Sequence, residues 1–193
     1  FLAEMVPQLR FILYDPAPFS INQELREKFG SGIEIHNGLF TDEVARYWSG
    51  RNNVFFSSDI RRNYSTSSTE SQTIENIVSE DMEMQRRWVE TINPVQAMLK
   101  FRLPYVDAPR GGGEMVDIHV DYFDGFVAFQ QWVGPSSTET RLVPVKRDGA
   151  YLTKTWSSIK YQDQLFRHYS VTRRGPRYYS PFPLSSTPSS ELV

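Results

Sequence analysis

A chain of 193 residues, 39% hydrophobic and with a formal net charge of −2, is long enough for one domain with its own core and too apolar to be disordered. It has no cysteine, which excludes disulfides, thiolate zinc sites and cysteine nucleophiles, and its apolar runs are too short to span a membrane. The charge is uneven: residues 141–179 carry nine Lys and Arg against Asp148 and Asp163. That basic block either tracks a phosphate backbone, with Tyr178 and Tyr179 beside it, or forms a solvated helix face with a basic tail.

The first five residues read as the inside of a helix with no initiator methionine, so the amino-terminal part of the domain is expected to precede residue 1. Phe11–Tyr14 is a short apolar run ending at Asp15 and Pro16, the pattern of a buried parallel strand with a carboxylate at its carboxyl end. Glu24–Phe29 predicts a short helix stopped by Gly30 and Gly32. Ile33–His36 predicts a second strand, leading into Gly38, Leu39 and Phe40. Thr41 is placed to cap a helix with Asp42 and Glu43 in its first turn and Val44, Tyr47 and Trp48 as its apolar stripe. Gly50 closes it, and Val54–Phe56 predicts a third buried strand running out to Asp59.

Ser67 with Glu70 three residues on forms a capping-box pattern. Ile74, Ile77, Val78, Met82, Trp88, Val89 and Ile92 then recur at helical spacing up to Pro94, a core-facing stripe. Beyond Pro94 the period changes to two: Val95, Ala97 and Leu99 alternate with Gln96, Met98 and Lys100, which predicts a strand ended by Pro104. Lys100 falls near its carboxyl end, as a salt-bridge partner or a catalytic amine, with Tyr105 and Asp107 just beyond. Alternating strands and helices predict an α/β doubly wound, mostly parallel sheet, in which ligands sit outside the carboxyl ends of the strands. Asp15, Asp59 and Lys100 all take that position.

The glycine-rich stretch Arg110–Glu114 reads as a flexible loop, since no Lys-Ser/Thr and helix follow it as a phosphate-binding loop requires. Tyr122–Gly125 predicts a turn, Phe126–Trp132 and Thr140–Val145 predict antiparallel strands at the edge of the sheet, and Trp156–Tyr169 predicts a helix. Residues 175–193, with four prolines among serines, read as an irregular or disordered tail. His36, His119 and His168 lack metal-ligand spacing, and no Gly-X-Ser-X-Gly elbow is present. A lysine with an ordinary pKa of ~10.4 is a poor base until burial or a second cation brings it towards ~7–8, and flanking carboxylates push the other way. Lys100 with Asp59 and Glu139 therefore needs another positive group.

Asp59, Lys100 and Glu139 resemble the last three members of the Lys-Asp-Lys-Glu set of RNA ribose 2'-O-methyltransferases. The motifs Leu13–Asp15, Ser58–Arg61, Asn93–Val95 and Leu99–Asp107, with Gly125, Gln130 and Ser137–Leu142, are similar to those of one family in particular. This is the poxvirus-type cap-specific 2'-O-methyltransferase family, also the small, processivity subunit of a viral poly(A) polymerase. The resemblance runs from about Phe1 to Arg167.

It implies a Rossmann-like S-adenosylmethionine-dependent methyltransferase sheet over residues 1–174, its first strand and glycine-rich loop lying before residue 1. Asp15 would bind the cofactor ribose, Leu39 and Phe40 would line its adenine, and Asp59 would belong to both the cofactor site and the catalytic group. Lys100 would be the base on the 2'-hydroxyl, oriented with the substrate by Asp59 and Glu139. Tyr105 would stack on the 7-methylguanine of the cap and Asp107 would accept from its edge. The family's second cap carboxylate falls near Gln162, which is neutral, with Asp163 adjacent to supply it; Arg61 and Arg141 would contact RNA. The implied partners are capped mRNA and a poly(A) polymerase catalytic subunit, in the cytoplasm, a viral factory or a virion, with no membrane and no metal. The family's first lysine, the cation that Lys100 needs, is absent from this chain, so the segment alone is expected to be inactive and the intact protein active. A non-catalytic RNA-binding or polymerase-associated subunit with the same fold is the second reading. A nucleotide-dependent oxidoreductase is the third.

Overall fold

The computed structural model describes residues 2–18, 27–28, 30–62, 71–106, 113–129 and 138–168. The chain divides into two compact units, Phe1–Arg51 with Thr91–Asn93, and Asn52–Glu90 with Pro94–Val193.

In the first unit, α1 (Leu2–Met5) precedes β1 (Phe11–Asp15), a 3-10 turn at Gly30–Gly32, β2 (Ile33–Asn37) and α2 (Asp42–Trp48). β1 and β2 pair in parallel, from Phe11 opposite Ile33 to Asp15 opposite Asn37. The apolar run at 11–14 is half-buried. Tyr14 stacks on His36 with ring centres 4.4 Å apart and meets the Phe40 edge at 5.2 Å. Thr41 caps α2 as expected, its hydroxyl accepting from the Val44 N–H at 3.4 Å, with Asp42 and Glu43 in the positive first turn. The helix predicted at Glu24–Phe29 lies mostly outside the described residues.

In the second unit, β3 (Phe55–Ser58), α3 (Ser71–Ile92) and β4 (Gln96–Phe101) are followed by β5 (His119–Phe123), β6 (Gly125–Phe129) and β7 (Thr140–Pro144). Then come β8 (Lys146–Arg147), β9 (Ala150–Tyr151), β10 (Thr153–Ser157) and α4 (Ser158–Arg167). One four-stranded sheet has the order β3-β4-β7-β6; β5 pairs with β10 and β8 with β9. Among the described strands, β1–β2 and β3–β4 are parallel and the other four pairs are antiparallel. The protein is therefore mixed α/β with strands of both orientations, and the mostly parallel sheet expected from the alternation is not what these strands form. β6 lies at the edge as expected, whereas β7 is interior.

β4 obeys its two-residue period: Ala97, Leu99 and Phe101 are buried while Gln96, Met98 and Lys100 are half-buried. Val95, expected on the buried face, is exposed because the ladder starts only at Gln96. Phe101 anchors an aromatic core, its ring centre 5.8 Å from Tyr122, 5.0 Å from Trp156 and 5.4 Å from Tyr161.

Two further segments differ from expectation. Tyr122–Gly125 is not a turn: Tyr122 and Phe123 end β5, Gly125 begins β6, and the chain crosses from one sheet to the other at Asp124. Gly125 permits this because a Cβ there would lie 2.3 Å from the Val143 carbonyl oxygen. The helix predicted from Trp156 begins at Ser158, since Trp156 and Ser157 pair with β5 as part of β10. Its start is fixed by Ser157, which accepts from the Lys160 N–H at 3.2 Å, and by Asp117. The Asp117 carboxylate accepts from the Ile159 N–H at 3.0 Å and the Ser157 hydroxyl at 2.5 Å, and these bonds hold its carboxyl below the usual range.

The Ser67–Glu70 capping box, Gln130, most of the Arg110–Glu114 loop and residues 175–193 lie outside the described residues. Among the described residues no helix is long and apolar enough to cross a membrane.

Candidate functional site

β3 and β4 run side by side as far as Ser58 opposite Leu99, and there β3 ends. The chain leaves through Asp59, Ile60 and Arg61, while β4 continues to Lys100 and Phe101. A cavity of about 240 Å³ lies where they part. Ile60 with Ile74, Val78 and Met82 of α3 gives it an apolar lining, and Arg61, Lys100, Tyr105 and Glu139 bring polar groups to it. An apolar cleft with a few convergent polar groups is the usual form of a small-molecule or nucleotide site.

The charged groups form a closed ring. The Lys100 Nζ is 3.0 Å from the Asp59 Oδ1 and 3.5 Å from the Glu139 Oε2. The Arg141 guanidinium reaches the same two carboxylates, at 2.8 Å from Asp59 and 3.4 Å from Glu139. Arg61 pairs with Glu139 from outside the ring. Lys100, Glu139 and Arg141 are largely buried, whereas the Asp59 side chain is 65% exposed. Arg141 stands opposite Lys100 in the β4–β7 ladder, which projects both side chains from one face of the sheet.

The structure thus brings Asp59, Lys100 and Glu139 together from three distant segments. It also brings in Arg61 and Arg141, expected only as RNA contacts. The cluster holds three cations and two carboxylates, so positive groups beside Lys100 come from within the chain. The signal was a repeat in spacing: Asp59 and Arg61, like Glu139 and Arg141, are two apart, which in extended chain puts each pair on one side.

Tyr105 lines the same cavity, and Arg102 lies over its ring at 4.6 Å while pairing with Glu75 at 2.9 Å. Asp107 lies outside the described residues. The Val106 N–H donates to the Gln162 Oε1 at 2.8 Å, tying the segment after β4 to α4. Asp163, the next residue on α4, is exposed and does not line the cavity.

Asp15, Leu39 and Phe40 belong to the first unit. Asp15 ends β1, and its Oδ1 accepts from the Ala17 N–H at 2.7 Å while its main-chain oxygen accepts from the Gly38 N–H at 3.1 Å. Leu39 is 69% exposed, and Phe40 is half-buried against Tyr14. A carboxylate beside an exposed apolar side chain, at the carboxyl ends of two parallel strands, suits the hydroxyls and base of a nucleoside.

The described part of the basic block is not one stripe. Arg141 joins the ring, the Lys146 Nζ donates to the Pro94 carbonyl at 3.0 Å, and Lys154 pairs with Asp124 at 2.6 Å, which holds that carboxyl below the usual range. The histidines are equally separate. His36 is 2.7 Å from Glu34, His119 is 3.6 Å from Asp117, and His168, whose pKa burial lowers, stacks on Phe129 at 4.2 Å. Among the described residues no cluster of His, Cys, Asp and Glu is arranged to hold a metal ion. No family model matches the chain, and no curated protein matches its sequence.

Proposed function

We propose that this chain is the methyltransferase module of a protein that methylates the ribose 2'-oxygen of the cap-proximal nucleotide of mRNA. The observation that carries this reading is the Lys100 amine between Asp59 and Glu139, on the wall of a cavity that Tyr105 also lines. A Rossmann-like methyltransferase sheet belongs to the reading, supported by the parallel pairing within β1–β2 and, separately, within β3–β4.

S-adenosylmethionine supplies the methyl group, and the Asp15 carboxylate with Leu39 and Phe40 has the chemistry to hold its ribose and adenine. Lys100, in its neutral form, takes the hydroxyl proton as the 2'-oxygen attacks the methyl carbon and the carbon–sulfur bond breaks. Asp59 and Glu139 aim the amine, and Arg61 and Arg141 pair with the same two carboxylates and hold them in place beside it. Tyr105 stacks on the cap base, with Asp107 as an acceptor for its edge.

The test is transfer of labelled methyl from S-adenosylmethionine to capped RNA by the full protein. Lys100→Ala and Lys100→Arg are both expected to lose activity by about 100-fold or more, since Arg keeps the charge but cannot act as a base. Retained activity in Lys100→Ala overturns the role of Lys100.

The second reading is an RNA-binding or polymerase-associated subunit without transfer activity. It is favoured by the same ring, in which Lys100 has a structural partner on each side. It predicts that capped RNA binds while no methyl is transferred.

A further inference from the structure

Gln85 is almost wholly buried in the middle of α3, 1% exposed, on a stripe with Asp81, Met82, Trp88 and Val89. A polar side chain there has to satisfy its own groups inside the protein. It does so on one residue: the Gln85 Oε1 accepts from the Lys100 N–H at 3.1 Å, and the Gln85 Nε2 donates to the Lys100 carbonyl at 3.0 Å. The β3–β4 ladder has stopped one residue earlier, at Leu99. On the other side, Leu99 and Phe101 flank Lys100 in the ladder with β7, and neighbouring residues of a strand direct their main-chain groups to opposite sides. The side-chain amide of Gln85 therefore takes the place that the next β3 residue would have filled. β3 is free to turn away at Asp59, and the cavity lined by Gln85, Lys100 and Arg61 opens in its place.

We propose that Gln85 is a positioning residue for Lys100, holding β4 extended past the end of β3 so that the amine stays between Asp59 and Glu139. The kinetic part of this inference rests on Lys100 being the base of the proposed methyl transfer; the structural part does not.

The test therefore has two arms. The first is amide hydrogen exchange at Lys100, which needs no activity. In the unmodified protein the Lys100 N–H is expected to be protected although no strand pairs with it on that side. In Gln85→Met, which keeps the bulk and removes both hydrogen bonds, its exchange is expected to rise about tenfold while Leu99 and Phe101 keep their protection. Gln85→Leu removes the same two hydrogen bonds with a shorter apolar side chain, so it serves where the Met variant does not fold. A Lys100 amide that exchanges freely in the unmodified protein overturns the proposal, as does unchanged exchange in either folded variant.

The second arm is kinetic. In folded Gln85→Met, kcat for methyl transfer is expected to fall about 10- to 100-fold with KM for both substrates little changed, and the pH–rate profile to move. A merely structural role would lower the folded fraction and leave the profile of the remaining enzyme in place, which overturns the proposal. An unmodified protein that transfers no methyl refutes the proposed function instead, and the exchange arm then decides the role of Gln85 alone.

Discussion

Lys100 and Arg141 stand opposite each other across β4 and β7 and reach for the same oxygen, the Asp59 Oδ1, at 3.0 and 2.8 Å. Like charges directly opposed in a ladder destabilise it, so the pair depends on the carboxylates between them. The two carboxylates differ in burial, Glu139 being 17% exposed and Asp59 65%. Water screens the loss of Asp59, and much less so the loss of Glu139. Glu139→Gln should lower unfolding free energy by about 2 kcal/mol, and Asp59→Asn by about 0.5 kcal/mol. Urea denaturation of the two variants checks the order; an equal or reversed order would refute it.

Tyr105 is exposed at the cavity wall with Arg102 over one face of its ring. If a base stacks on this ring, Tyr105→Ala should weaken binding of a cap analogue about 5- to 160-fold, since one stacked base is worth ~1–3 kcal/mol. Tyr105→Phe keeps the ring and should bind within about twofold of the parent. Fluorescence titration with a 7-methylguanosine dinucleotide measures both. Equal binding by the Ala variant would remove Tyr105 from the site.

Gly125 begins β6 hard against β7, where an added Cβ would meet the Val143 oxygen at 2.3 Å and the Pro144 Cα at 2.9 Å. Backbone atoms cannot swing aside as a flexible side chain does. Gly125→Ala should therefore cost about 2–3 kcal/mol, whereas Gly38→Ala, with open space around it, should change stability by less than about 0.5 kcal/mol. Thermal or urea melts of the two variants separate the cases.

Burial pushes the Tyr151 hydroxyl up to about 12, and raises Tyr122 further, with Glu83 adding to the effect. Both stay protonated where the unfolded chain, ionising near ~10, has lost its protons. Between those values the unfolded state binds fewer protons, so stability is full below pH ~10 and falls as pH rises through about 12. Tyr151 donates to the Pro94 carbonyl at 2.8 Å. Tyr151→Phe should melt lower at neutral pH, by about 1 kcal/mol for the lost hydrogen bond. It should then lose less than the parent on going to pH ~11. A parallel decline of the two melting curves would count against this.

Local features were legible in the sequence to the extent that their cause is local. The stripe from Ile74 to Ile92 and the alternation after Pro94 follow from backbone periods, and the Thr41 cap from one side chain meeting one N–H. The β8–β9 hairpin carries an equally local signal in Asp148 and Gly149, both at positive φ. Tyr122–Gly125 misled because a glycine needed for close approach to another strand looks the same in sequence as one needed for a turn. Trp156 misled because its pairing partner in β5 lies 36 residues away, opposite Val120, and strand pairing overrides a weak helical pattern.

By itself, the sequence determined the helix before Pro94, the alternation of β4, the Thr41 cap and the positions of Asp59 and Lys100 at strand ends, because side-chain periodicity and capping act over a few residues. Its resemblance to a known family added the expectation of a chemical role for Asp59, Lys100 and Glu139. Only the tertiary structure decided the mixed strand orientation, the entry of Arg141 into a ring with an aspartate 82 residues away, and the use of Gln85 to complete a strand. These rest on contacts between distant segments, whose partners and register are set when the whole sheet packs.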